Sequence, residues 1–435
     1  MQISIKSTGT IDRTMVLELS AERIDREVAQ RLQSLAAEAL VDGFRPGKAP
    51  LAVIEKRRGA AIRQEVLEKI ARETFQQTVE THRLRVAGAP TIDLKPAEAG
   101  HNPHCIATFQ VYPEITIGRV ETLRIRRPVA TVQDADLERM IEVIRRQHAE
   151  WKDVARPARV GDRVIVDFDG RHHGKAIESG QAKDRPVELG AGRESKDFEA
   201  ALVGMTAGDE KVAEITFSET HPIKHLKGRT VSFRLKAKRV QEPVLPAIDA
   251  AFIREFGIDN GSMETFREEV KNNMTRELQH TIQAQLIQQV TDGLAALHDF
   301  DIPQSLVADE IRCLREVESP TANSPAETIP EEVIESQAAR QVKVRLIMDA
   351  VIRQQELKPE PARVAARLQE LASTCTDPAA LIDYYRSHPP ALRTIEDAVL
   401  EEQVVNWVLE KATVTDEACD FDSVMRPHGA NPAAP

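Results

Sequence analysis

From Phe266 to Leu294 an apolar side chain returns at every fourth position: Phe266, Val270, Met274, Leu278, Ile282, Leu286, Val290 and Leu294. A helix gathers such a series on one side. At 1.5 Å per residue, a helix of about 35 residues extends over 50 Å. One compact core cannot enclose a rod of that length, so this part of the chain must be helices packed side by side. Ile302-Pro303 opens another helix to about Arg315, and a third runs from about Glu331 to Gln355. Shorter ones span roughly 361–374, 377–387 and 391–412, with Pro389-Pro390 separating the last pair. Residues 317–330, rich in Ser, Thr, Pro and Glu, read as a turn. A 3.5-residue heptad is not sustained, so the pattern predicts helical hairpins arranged as arms.

The remainder of the 435 residues has a different texture, and the length suits about three domains. In 159–240, the segments Arg163–Asp169, Lys211–Phe217 and Thr230–Val240 alternate with period two. Gly161, Gly170, Gly190, Gly192, Gly204, Gly208 and Gly228 punctuate them, which predicts a compact antiparallel sheet with one short helix. Residues 1–112 read as α+β: strands at Gln2–Lys6, Met15–Leu19 and His104–Tyr112 brace helices at 21–40, Leu51–Arg58 and Ala60–Phe75. A connector, 113–158, holds a strand at Leu123–Arg127 and a helical stretch Asp134–Trp151, and is expected to pack with the helical body, 241–430. The end, 427–435, has the composition of a disordered tail. The fold class is therefore multidomain α+β, with an elongated all-α C-terminal body. Aromatics at 4% fit long helices packed by aliphatic side chains, and 29% charged residues fit a large solvated surface.

Residues 43–50, Gly-Phe-Arg-Pro-Gly-Lys-Ala-Pro, stand between two helices. Gly43 and Gly47 permit unusual backbone angles while Pro46 and Pro50 stiffen the loop. It should hold Phe44, Arg45 and Lys48 out to solvent. From Val41 to Arg63 the cations are Arg45, Lys48, Lys56, Arg57, Arg58 and Arg63, against Asp42 and Glu55, in a chain of net charge −11. Such a local basic tip suits an anionic partner, whereas the acidic whole excludes general coating of nucleic acid.

Composition excludes other classes. Cys105, Cys313, Cys375 and Cys419 show no CxxC spacing, and Pro103 breaks any helical pairing of His101, His104 and Cys105, so no metal is expected. Gly190-Ala191-Gly192 lacks the next glycine of a dinucleotide fingerprint, and there is no Gly-Lys-Ser/Thr phosphate loop, so no cofactor is expected either. Without a signal-peptide core or a run of about 18 apolar residues, the expectation is a soluble, cytoplasmic chain with no membrane partner.

The octapeptide resembles the ribosome-docking signature of the trigger factor family of bacterial nascent-chain chaperones, Gly-Phe-Arg-x-Gly-x-x-Pro, at every fixed position. The domain order resembles that family along essentially the whole chain. The resemblance implies an ATP-independent chaperone docked through Gly43, Phe44, Arg45, Gly47 and Lys48 beside the polypeptide exit. Its partners would be a large-subunit protein and rRNA, together with unfolded nascent polypeptides, and a homodimer off the ribosome is left open. The glycine-rich sheet is similar to FKBP-type peptidyl-prolyl isomerases. By motif position Phe168, Phe198, Phe217 and Phe233 correspond to pocket aromatics, Ile177 replaces a common Phe, and His221 replaces a Tyr. Ser195-Lys196-Asp197-Phe198 stands where Ile-Pro-Gly-Phe forms the family's pocket floor, so activity is expected to be reduced. Two other readings stay open: a free-standing isomerase, and a helical adaptor for one folded partner.

Overall fold

The computed structural model describes residues 3–38, 51–95, 102–172, 175–217, 228–317, 330–373, 375 and 377–426. The loop 43–50, His221, most of the 317–330 turn and the tail from 427 lie outside them. In chain order, β1 (Ile3–Ser7) and β2 (Asp12–Glu18) precede α1 (Ala21–Glu38) and α2 (Leu51–Thr81), followed by β3 (Val86–Lys95) and β4 (His104–Val111). Then come β5 (Arg124–Val129), α3 (Asp134–Gln147), β6 (Glu150–Val154), β7 (Arg163–His172) and β8 (Lys175–Glu188). After α4 (Lys196–Leu202) lie β9 (Glu210–Thr216) and β10 (Thr230–Val244). The helices α5 (Ala250–Arg254), α6 (Met263–Leu297), α7 (Gln304–Val317) and α8 (Glu331–Gln354) follow. The chain continues through α9 (Pro361–Ser373), α10 (Pro378–Ser387), α11 (Pro389–Lys411), β11 (Thr413–Ala418) and α12 (Phe421–Met425).

The four-residue apolar series forms α6, 35 residues long. Prolines open α9, α10 and α11, where a missing N–H costs nothing. Pro389 therefore begins a helix as well as separating two. Three expectations need correction. α2 is one helix of 31 residues that runs straight through Gly59. A helical glycine costs about 1 kcal/mol against alanine, and burying Ile54, Ile62, Val66 and Ile70 outweighs it. The helix expected over Asp134–Trp151 stops at Gln147, because Trp151 belongs to β6, opposite Pro243. The strands β3, β8 and β11 had no clear alternation, and β11 interrupts what read as purely helical sequence. In the helical part Val307, Leu346, Ile347 and Val351 are buried.

Two compact units divide the chain. The first combines residues 1–127 with 284–416. Its sheet has the antiparallel order β1-β2-β4-β3. α1 and α2 close over one face, burying Leu17, Ile24, Ile70 and Phe75, and Phe75 meets Phe109 edge-on at 5.1 Å. This layer is fastened to α7: Ser305 donates to the carbonyl of Ala87 at 2.8 Å, and Thr10 donates to Asp301. Gly88, at φ +75°, gives Ser305 its room, since a Cβ there would lie 2.4 Å from the serine Cβ. In the helical part Ile115, Val307, Val342 and Leu346 share a core, and α11 packs on α8 and α9.

The second unit combines residues 128–283 with 417–435. Leu137 and Ile141 of α3 pack with Phe252, Phe266, Val270, Phe421 and Val424. The central sheet has the order β6-β10-β7-β8, with β9 also paired to β10. β10 is 15 residues long, so its first half takes β9, its second half takes β6, and β7 lies along its other edge.

Candidate active site

Four rings converge where α4 lies on the central sheet. Ser195 caps α4, its Oγ accepting the Phe198 N–H at 3.3 Å, and this directs Phe198 into the sheet. Phe233 on β10 stands opposite Gly170 on β7, and Leu235 opposite Phe168. Gly170 is required there: a Cβ would sit 2.6 Å from the Phe233 ring. Phe168 meets Phe198 edge-on at 5.3 Å and Phe233 at 6.0 Å, while Phe198 and Phe233 meet at 5.6 Å. Phe217 joins Phe233 at 6.2 Å. Such T-shaped contacts use the positive ring edge against the negative face. Phe198 and Phe233 are buried, whereas Phe168, Phe217 and Ile177 pack against the same core and are only partly buried. The sequence thus identified residues that the fold does bring together. Lys196 and Asp197 are exposed on the first turn of α4.

Sequence reading missed the supports. Glu199, only 8% exposed, follows Phe198 on α4 and accepts the Gly190 N–H at 2.7 Å, tying the 190s loop to that helix. An acid one residue after the pocket aromatic was the available signal. At the foot of the sheet Arg156 grips Asp162 with two hydrogen bonds, 2.6 and 3.0 Å, and also reaches Glu242 at 3.0 Å. Burial pushes the Asp162 carboxyl up, but the Arg156 hydrogen bonds and the Arg159 N–H outweigh it and hold it below its ordinary value. A depressed carboxylate stabilises the fold above its unfolded value of about 4, and that contribution is lost as pH falls through the folded value. Asp162→Asn should therefore cost about 2–3 kcal/mol at pH 7 and give a shallower loss of stability on acidification. Urea unfolding across a pH series measures both.

Of the three residues His101, His104 and Cys105, Cys105 is buried, its thiol pushed up to about 11 by desolvation, His104 is exposed, and His101 lies outside the described residues. Among the described residues no group of three His, Cys, Asp or Glu could hold a metal.

Chemically, the ring cluster offers apolar faces and no titratable group. That suits rotation about an X–Pro bond, whose barrier of about 18–20 kcal/mol is amide resonance and which needs no nucleophile. A drier surface weakens solvation of the planar, charge-separated amide. A second candidate lies in the first unit, a cleft of about 920 Å³ lined by Ile287, Val344, Met348 and Val405 with Arg340 and Glu401. Burial, then Asp397 and Asp349, raise the Glu401 carboxyl. The cleft is apolar with charges of both signs.

An antiparallel sheet that clasps one short helix around four rings defines the FKBP class, and residues 154–238 match the FKBP-type peptidyl-prolyl cis-trans isomerase family. Residues 1–144 match the bacterial trigger factor protein and residues 262–410 its C-terminus. The trigger factor of Thioalkalivibrio sulfidiphilus is 40% identical, over 98% of both chains. That of Pseudomonas putida is 38% identical over 100% of both. A solved structure from work on promiscuous substrate recognition in folding and assembly by the trigger factor chaperone has the same fold. It aligns at a TM-score of 0.51 and 17% identity, covering 94% of this chain and 99% of that one. The chain belongs to the trigger factor family. It is a chaperone with an FKBP-type isomerase domain, and its family membership implies ribosome and nascent-chain binding.

Proposed function

We propose that the chain works as four parts: a ribosome-docking domain (1–112), a connector packed with the body (113–158), an isomerase domain (159–240) and a helical chaperone body (241–430). The observation that carries the docking assignment is the octapeptide at 43–50, set between α1 and α2. Those helices are joined by Lys69–Glu27 at 3.2 Å and Arg31–Glu65 at 3.3 Å, a stalk fit to present a docking segment. Phe44 packs on a large-subunit protein near the exit, and Arg45 and Lys48 meet acidic side chains or rRNA phosphates. The apolar cleft beside α8 and α11 shelters emerging segments in the cytoplasm, delaying wrong contacts until a domain's worth of chain is available. Release needs no ATP, because a client that buries its own apolar surface leaves.

Phe168, Ile177, Phe198, Phe217, His221 and Phe233 form the proline pocket in this reading. The charged Lys196 and Asp197 on its floor keep catalysis low. The test is pelleting of the intact chain with vacant ribosomes, alongside suppression of aggregation of a denatured protein without nucleotide. Absence from the pellet, or a requirement for ATP, overturns the proposal. Sedimentation velocity of the free chain reads any self-association.

A further inference from the structure

Glu199 is an anomaly in the isomerase domain. It is only 8% exposed, yet no cation stands within ion-pair distance of it among the described residues. A buried carboxylate without a counter-ion costs stability that an apolar residue of similar size would not. Its two oxygens serve one short loop: Oε2 accepts the Gly190 N–H at 2.7 Å, and Oε1 the Glu194 N–H at 3.4 Å. Those donors are the two ends of 190–194, and Ala191, Gly192 and Arg193 between them are exposed. The loop's other ties are slight. Arg185 reaches Glu194 at 3.3 Å in a largely exposed ion pair, and the Ala191 N–H reaches the Glu188 carbonyl at 3.4 Å. Ser195 follows directly, its Oγ accepting the Phe198 N–H and its carbonyl the Glu199 N–H at 3.0 Å. One residue thus holds the stretch from Gly190 to Phe198 by its side chain at one end and its main chain at the other.

We propose that Glu199 is a positioning residue for prolyl isomerisation: its carboxylate fixes the loop 190–194 and so sets the Ser195–Phe198 floor against which the prolyl ring is held. The inference rests on the ring-pocket reading above. A floor without titratable chemistry contributes only through its placement, and a misplacement of about 1 Å can cost up to about a hundredfold in rate. A carboxylate suits the task because it offers an acceptor oxygen to each donor, whereas a neutral amide offers one. Charge also makes such hydrogen bonds about twice as strong as neutral ones.

The test compares Glu199→Met and Glu199→Gln in the intact chain. Methionine keeps the side-chain volume and removes both acceptors, while glutamine keeps one oxygen for Gly190. The readouts are turnover of a proline tetrapeptide, hydrogen exchange of segment 189–195 by mass spectrometry, and urea unfolding followed at Trp151 in a Trp407→Phe background. Glu199→Met should speed exchange in that segment about tenfold and lower kcat/KM about tenfold. Its urea midpoint should stay in place, since N–H groups freed on an exposed loop bond to water. Glu199→Gln should recover kcat/KM to about one third of wild type. A merely structural residue would move the midpoint and leave kcat/KM alone. That result, or unchanged exchange in 189–195, overturns the proposal. Should Glu199→Met unfold the domain, the glutamine variant decides: faster exchange with a threefold loss of turnover sustains the proposal, and wild-type values of both overturn it. Full turnover by Phe168→Ala overturns the pocket reading instead, so the two failures are distinguishable.

Discussion

Phe44→Ala combined with Arg45→Ala is expected to remove the chain from the ribosome pellet at physiological salt. Residues 43–50 contain one aromatic side chain, Phe44, and an aromatic ring that fills a pocket is the usual form of a binding hot spot, with truncation costing about 2 kcal/mol or more. Losing the adjacent guanidinium removes a charge-assisted contact of similar size. Together they weaken binding by about two to three decades, because every 1.4 kcal/mol is tenfold. Neither change should alter the thermal unfolding curve, since the α1–α2 core is built from Ile24, Leu32, Ile62 and Ile70. Pelleting at wild-type concentrations would move the docking site away from this loop. Pelleting should also weaken with salt, because the contacts of Arg45 and Lys48 are electrostatic.

The second large effect concerns the ring cluster, where two positions should behave differently. Phe233 touches three other rings and is 5% exposed. Phe233→Ala leaves a cavity that Gly170 cannot fill and should cost about 3–5 kcal/mol, enough to unfold the isomerase domain on its own. The chain has two tryptophans, Trp151 on β6, at the edge of the central sheet, and Trp407 on α11. In a Trp407→Phe background, Trp151 fluorescence follows the central sheet alone during urea unfolding. Phe168 is only partly buried, so Phe168→Ala should leave the Trp151 transition nearly in place and lower kcat/KM toward a proline tetrapeptide about tenfold. Equal loss of stability in both variants would make the cluster ordinary core. Replacing Ser195-Lys196-Asp197 by Ile-Pro-Gly tests the floor: turnover should rise, although α4 loses its Ser195 cap at about 1 kcal/mol.

Periodicity was readable wherever one physical demand dominated. The series from Phe266 to Leu294 foretold α6, because a helix that buries one side must repeat near every fourth residue. Phe168, Phe198, Phe217 and Phe233 were singled out by resemblance to the isomerase family's motifs, and their rings do meet. Trp151 was misread because an apolar residue in phase with a helix can equally serve a strand, and pairing with Pro243 prevailed.

By itself the sequence determined the order of domains, the length of α6, the basic octapeptide and the chemistry available at the sheet, since these depend on local spacing and residue type. Only the tertiary structure decided that Glu199 ties the 190s loop, that Arg156 closes on Asp162, and that Gly88 admits Ser305. Those contacts join residues far apart in the chain or on different elements, and their partners are selected by packing in three dimensions.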